Sequence, residues 1–211
     1  MATEKTSYLI GGISLFAIGA VLAYNAFGHV QDRVEIWLDP WSHYTGKGYQ
    51  VVQGMFALGS GGISGAGLGK GYPTRIPAAQ NDFIFAAIGE ELGLLGSTAV
   101  LAAFVLIIGA GLRTASRTQR PFKQLIATGL TLIFGLQAFI IIGGVLRVVP
   151  LTGVALPFVS YGGSSLVANY VLLAILVRIS DGAARQVGEA PDMLTISERW
   201  ELRRLRKAAD E

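Results

Sequence analysis

The stretch QLIATGLTLIFGLQAFIIIGGVL, Gln124 to Leu146, runs 23 residues without a charged side chain. About 20 apolar residues cross the hydrocarbon core of a bilayer as a helix, so this segment alone makes lipid the expected solvent. Two more uncharged stretches have that length, Tyr8 to Phe27 and Leu92 to Leu112. A fourth lies in the uncharged run from Val148 to Val177, where Pro150 and Pro157 interrupt the first third and put the helix start near Phe158. Composition agrees: 52% of the 211 residues are hydrophobic, 15% are charged, and the mean hydropathy is +0.51. The expected fold is all-α, a polytopic membrane helix bundle of about four transmembrane helices. A membrane domain over residues 1–181 carries spans near 8–27, 92–112, 124–146 and 158–177, and a basic tail covers 182–211.

Basic residues in short loops stay in the cytoplasm, and this sets the orientation. The segment 113–123 holds Arg113, Arg117, Arg120 and Lys123, whereas the equally short 147–157 holds only Arg147. The 113–123 turn is therefore cytoplasmic. The tail adds Arg178, Arg185, Arg199, Arg203, Arg204, Arg206 and Lys207, which places both termini inside and the loop 28–91 outside. The first span is too long for a signal peptide's apolar core and is read as retained. This topology explains the net charge of +3 and the pI near 9.3, so nothing separately supports nucleic-acid binding. Ser197 to Lys207 reads as a short helix with Ser197 as N-cap, solvated or resting on anionic lipid. Cysteine is absent, which removes disulfides and thiolate chemistry.

A loop of this length is either functional or disordered, and its aromatics argue for order: Trp37, Trp41, Tyr44, Tyr49, Phe56, Phe83 and Phe85. Trp37 and Trp41 suit the headgroup region. Eight glycines fall between Gly54 and Gly71, which speaks against a lipid-exposed helix and for special backbone geometry. The GAGLGKG stretch at Gly65 to Gly71 resembles a phosphate loop, yet Ser64 stands where that pattern needs glycine and Gly71 where it needs Ser or Thr. Nucleotide binding is therefore rejected. Contact with a pyrophosphate through backbone N–H groups and Lys70 and a plain surface turn both remain open.

Among the outward carboxylates Asp82 stands apart, in the polar turn Gln80-Asn81-Asp82 that runs into the apolar Phe83-Ile84-Phe85. Partial desolvation there raises a carboxyl pKa and suits a proton acceptor. The competing role is an N-cap, which periodicity alone favours. Glu90 and Glu91 read as carboxylates placed at a helix N-terminus by its dipole. His29 and His43 match no metal spacing. Lys70 and Arg75 are the cations nearest Asp82 in sequence, suited to a leaving pyrophosphate or to plain surface charge.

The ordered motifs Gly46-Lys47-Gly48-Tyr49-Gln50, Ala57-Leu58-Gly59-Ser60-Gly61-Gly62, Gly65-Ala66-Gly67-Leu68-Gly69, Asn81-Asp82-Phe83-Ile84-Phe85-Ala86, Gly89-Glu90-Glu91-Leu92-Gly93, Pro150-Leu151-Thr152-Gly153 and Leu156-Pro157-Phe158-Val159-Ser160-Tyr161-Gly162-Gly163-Ser164-Ser165 resemble the SEDS family, the FtsW/RodA/SpoVE proteins of bacterial division and elongation. The resemblance covers residues 8 to about 181. It implies a peptidoglycan glycosyltransferase of ten helices that polymerises lipid II outside the bacterial cytoplasmic (inner) membrane, paired with a class B penicillin-binding transpeptidase. The spans here resemble helices seven to ten, so the counterpart of the first six is separate or missing. Asp82 matches the family's essential aspartate. Gln80, Tyr161, Ser164 and Ser165 join Lys70 and Arg75 as expected substrate-binding residues, with close helix packing the other reading of the Tyr161-Gly162-Gly163-Ser164-Ser165 segment. Either a divalent cation, Mg2+ or Mn2+, with no ligand set assigned, or Arg75 and Lys70 would stabilise the departing pyrophosphate. The chain departs from the family at Gln80-Asn81, commonly His-Thr, at Ile141, and at Arg147, commonly glycine.

Two rivals follow from the same residues. A transporter or flippase for the lipid-linked precursor would be expected to carry ionisable residues inside its spans, and the four stretches have none. A non-catalytic truncated fragment that binds a transpeptidase is the other.

Overall fold

The structure is a computed structural model that describes residues 6–188. The tail helix expected at Ser197 to Lys207 lies outside the described residues. All regular elements within them are helical: α1 (Thr6–Ala26), α2 (Gly28–Leu38), α3 (Tyr49–Gly61), a short 3-10 turn (Pro73–Arg75), α4 (Ile84–Arg117), α5 (Pro121–Val145) and α6 (Gly163–Gly188). By length and composition α4, α5 and the Gly163–Ala183 part of α6 can cross a membrane. A fourth crossing is available if the bent pair Ile10–Ala26 and Gly28–Leu38, which turns by 100°, is counted once.

The apolar run through Val177 does not become helix at Phe158. Phe158 takes a φ of 62° and the helix begins at Gly163, so the segment from Pro150 to Gly162 is irregular backbone. Pro150 and Pro157 deny that segment two amide donors, and its other polar groups bond to the turn before α4, to α2 and α5, and to one another. The second spanning helix starts earlier than Leu92, at Ile84, and is broken at Gly93 (φ 64°, ψ −161°).

The glycine-rich stretch expected to need special backbone geometry is two structures. Its first part, through Gly61, is regular helix that completes α3 and packs one side on α4: Gly54 lets the Phe83 ring approach, and Gly61 lies against the Gly89 carbonyl. Only beyond it do positive φ values appear, at Gly62, Gly65, Gly67 and Gly69.

The main core sits where α3, α4 and α5 meet, around Val51, Phe83, Phe85, Phe134, Ile141, Val145 and Leu156. A smaller cluster of Ala115, Ala127, Leu176 and Ile179 ties α4, α5 and α6 together near the 118–120 turn. Small residues let α4 and α5 approach closely, as where Gly111 faces Thr131. In contrast α1 packs on little of this chain: Tyr8, Ile10, Ile13, Leu15, Phe16, Ile18, Val21, Leu22 and Tyr24 are all exposed.

Candidate functional site

Asp82 sits in the turn ahead of α4, yet it does not cap that helix. The N-cap position is Phe83, and no side chain makes a cap hydrogen bond there. The carboxylate instead faces the irregular 150–162 segment. A methyl group placed on Gly153 would lie 3.3 Å from Asp82 Oδ2 and 3.5 Å from Arg33 Nη2, so both side chains converge on one bare stretch of backbone. Gly153 itself is left-handed, with φ 72°. A side chain there would be strained and would fill the space between the two charges.

Arg33, on α2, is held from the other side by donating Nη1–H to the Leu151 carbonyl at 2.7 Å. Burial raises the Asp82 carboxyl above its ordinary value, and the positive charge of Arg33 offsets part of that rise. The result is a half-buried carboxylate with a fixed cation beside it and a free lone pair.

Four hydrogen bonds fix the wall opposite Asp82. Ser160 Oγ accepts the Leu156 N–H at 2.8 Å and donates to the Asn81 carbonyl at 2.5 Å. Tyr161 N–H donates to the Gln80 carbonyl at 2.8 Å. Gln137 Nε2 on α5 holds the Ala155 carbonyl at 3.1 Å. Ser160→Ala leaves the N–H of the buried Leu156 without a partner, at a cost of about 1–3 kcal/mol. The expected result is faster amide exchange at Leu156 and Tyr161 with α5 unchanged; equal protection in the variant contradicts this role for Ser160.

Much of the backbone of the glycine loop after α3 is already bonded: Ala66 and Gly67 donate to the Glu90 and Glu91 carbonyls, Gly69 to Glu91 Oε2 at 3.1 Å, and Tyr72 to Glu90 Oε1 at 3.0 Å. Leu94 and Leu95, just past the Gly93 break, donate in turn to Gly62 and Ile63. Glu90 and Glu91 thus lie beyond the first turn of α4 and sew the loop to it, a use that the helix-dipole reading did not contain.

The other expected site residues divide. Gln80 and Tyr161 are joined through their backbones next to Asp82, while the Tyr161 side chain is exposed. Ser165 supports α6, accepting from Asn169 Nδ2 at its carbonyl and hydroxyl, and Ser164 is exposed one position earlier. Arg75 stacks over the Tyr72 ring at 4.5 Å, and the stem of Lys70 folds against Gly67. Neither shares the Gly153 space that Arg33 occupies. Sequence reasoning missed Arg33, Ser160 and the role of Arg147. Arg33 was hidden because 118 residues separate it from Leu151; the turn residues flanking Ser160 were the only available hint.

Between α2, α3 and the end of α5 lies a cavity of about 260 Å³, lined by His29, Asp32, Arg33, Trp37, Lys47 and Arg147 among others. Lys47 is ion-paired with Asp32 there. Among the described residues no group of three His, Asp or Glu side chains is arranged to hold a metal ion.

A family model described as "Cell cycle protein", that of FtsW, RodA and SpoVE, matches residues 1–185. "Peptidoglycan glycosyltransferase RodA" of Mycobacterium tuberculosis (strain ATCC 25618 / H37Rv) is 52% identical over 191 residues, which cover 90% of this chain and 41% of that protein. "Probable peptidoglycan glycosyltransferase FtsW" of Geobacter metallireducens is 41% identical over 85% of this chain and 48% of its own length. The chain therefore spans less than half the length of these curated relatives. A solved structure described as "Structural coordination of polymerization and crosslinking by a peptidoglycan synthase complex" aligns over 83% of this chain and 48% of its own, with TM-score 0.67 and 26% identity.

Proposed function

The chain belongs to the FtsW/RodA/SpoVE family, and from that premise we propose that it carries the catalytic aspartate of a peptidoglycan glycosyltransferase that uses lipid II in elongation or division. The observation that carries this reading is the Asp82 carboxylate, uncapped, partly desolvated and facing Arg33 beside the left-handed Gly153. In the reaction, Asp82 takes the proton from the 4-hydroxyl of the acceptor sugar. The freed oxygen bonds to the anomeric carbon of the donor sugar from the face opposite its leaving group, and the polyprenyl pyrophosphate departs with the electrons of the broken bond. This is an inverting transfer.

Arg33 offers fixed positive charge at the reacting centre, in place of the mobile countercharge that water would supply. Lys70 and Arg75 serve the pyrophosphate farther out, and Tyr161, Ser164 and Ser165 line the path of the lipid. The described residues do not form a three-ligand cation site, so no step here runs through Mg2+ or Mn2+; a divalent cation would have to draw on the substrate's phosphates or on other helices. The chain sits in the bacterial inner membrane with both termini cytoplasmic, paired with a class B penicillin-binding transpeptidase. The exposed face of α1 and the groove of about 1060 Å³ between α4 and α6 support a bundle completed by further helices.

The test is glycan formation from lipid II by membranes that contain the protein, read as polymer on a gel across pH. The rate falls on the acid side as Asp82 protonates, at a pH above the value of a free aspartate because burial raises its pKa. Arg33→Gln removes the charge that lowers the Asp82 pKa, so the acid limb moves to higher pH, and Arg33→Lys holds it near the parent. An acid limb that ignores both variants removes Asp82 as the titrating base, and absence of polymer from the parent protein removes the function.

A further inference from the structure

Arg147 occupies a position where its backbone gains nothing from being arginine. Helix α5 ends at Val145, and Arg147 follows at φ 61°, a left-handed conformation that glycine adopts without strain. Its N–H donates to the Gly144 carbonyl and the next N–H to Gly143, an end-of-helix turn that glycine completes equally well. A strained residue of this kind persists when its side chain is over-determined by its surroundings.

The side chain is so determined. Arg147 Nη2 donates to the Trp37 carbonyl at 2.6 Å and to the Leu38 carbonyl at 3.2 Å, while the Trp37 indole N–H donates back to the Arg147 carbonyl at 2.9 Å. Trp37 and Leu38 are the last residues of α2, whose final carbonyls lack partners within the helix and whose last turn has no basic residue of its own. Arg147 therefore supplies from α5 the cation that the end of α2 lacks.

Helix α2 has no fully buried residue, and of its side chains only the partly buried Ile36 packs against the main core, so polar ties carry much of its hold. Arg33 and Trp37 lie four positions apart and so share one face, the first bonded to Leu151 and the second to Arg147. We propose that Arg147 is a positioning residue that holds α2, and with it Arg33, against Asp82. Arg33 is the charge that acts on Asp82; the 150–162 segment brings only uncharged groups to it, and Lys47 and Asp32 in the neighbouring cavity compensate each other. The consequence for catalysis rests on the reading of Asp82 above, but the geometry does not.

Because the chain has no native cysteine, spin labels at Glu35→Cys and Val154→Cys, both exposed positions, report the distance between α2 and the loop over Asp82. Arg147→Gly relaxes the turn and deletes the latch, so the distance distribution broadens while the melting temperature stays close to the parent's. Trp37→Phe, which loses one of the bonds, broadens it less. Modification of Asp82 by a hydrophobic carbodiimide, followed by mass spectrometry across pH, shows its midpoint moving up in Arg147→Gly as it does in Arg33→Gln. A distribution that stays narrow in Arg147→Gly overturns the inference, and so does an Asp82 midpoint that stays in place, the result of a purely structural role. Neither readout needs glycan synthesis, so failure of the glycosyltransferase reading shows itself separately.

Discussion

Asp82→Asn lowers glycan formation from lipid II by about 10²–10⁴-fold, the span that a positioned general base contributes. The substitution is nearly isosteric, and the geometry argues that it spares the fold. Asp82 caps no helix, and the bonds that hold its turn run through the Gln80 and Asn81 carbonyls to Tyr161 and Ser160. Burial already works against the charged form of this carboxyl, so a neutral side chain relieves a desolvation cost while giving up the attraction of Arg33. Stability that holds or rises while activity collapses is the signature of a group retained for chemistry. Abundance in the membrane and the melting temperature should therefore match the parent, with polymer missing from the gel. The acid limb attributed to Asp82 disappears from whatever residual rate remains. Polymerisation at the parental rate would take Asp82 out of the mechanism and leave the non-catalytic reading in its place.

The parts of this protein that could be read from sequence are those whose cause is local. Lipid as solvent follows from runs such as Gln124 to Leu146, because hydrocarbon imposes one requirement on every residue of a span. Asp82 was singled out by its motif and by its polar turn ahead of an apolar helix, while periodicity alone favoured an N-cap that the structure does not show. The start of the last helix was not legible, since hydropathy does not distinguish Leu156 and Phe158 in irregular buried backbone from the same residues in a spanning helix. That segment is non-helical because its polar groups are spent on Gln80, Asn81 and Gln137. The cation that faces Asp82 was missed for a related reason. Lys70 and Arg75 are close to Asp82 along the chain, but the turn through α2 brings Arg33 to it instead, and Arg147 reaches Trp37 across 110 residues. The glutamates at 90 and 91 read as helix-terminus residues because the break at Gly93, which lets the glycine loop dock against them, leaves no trace in composition.

Glycines two positions apart on α3 should respond to alanine with opposite signs, and the larger effect belongs to Gly61. A Cβ at Gly61 would lie 1.8 Å from the Gly89 carbonyl oxygen and 2.8 Å from its carbon. Both are backbone atoms of α4, so no side-chain rotation makes room; the helices must part. Parting them strains the docking of the Gly62–Gly69 loop on Glu90, Glu91 and the Gly93 break, because that loop leaves α3 at this point. Gly61→Ala therefore costs about 3 kcal/mol or more, at or beyond the upper end of overpacking in a close-packed interior. The expected result is a protein that accumulates poorly and melts well below the parent in detergent. Gly59 sits in the same helix with ordinary φ, and a methyl group placed on it would meet nothing within 4 Å. There alanine restricts the unfolded chain and favours the helix, a gain of up to about 1 kcal/mol. If both variants melted alike, the close α3–α4 contact would be wrong, and with it the frame that sets the turn before α4 and the direction of Asp82.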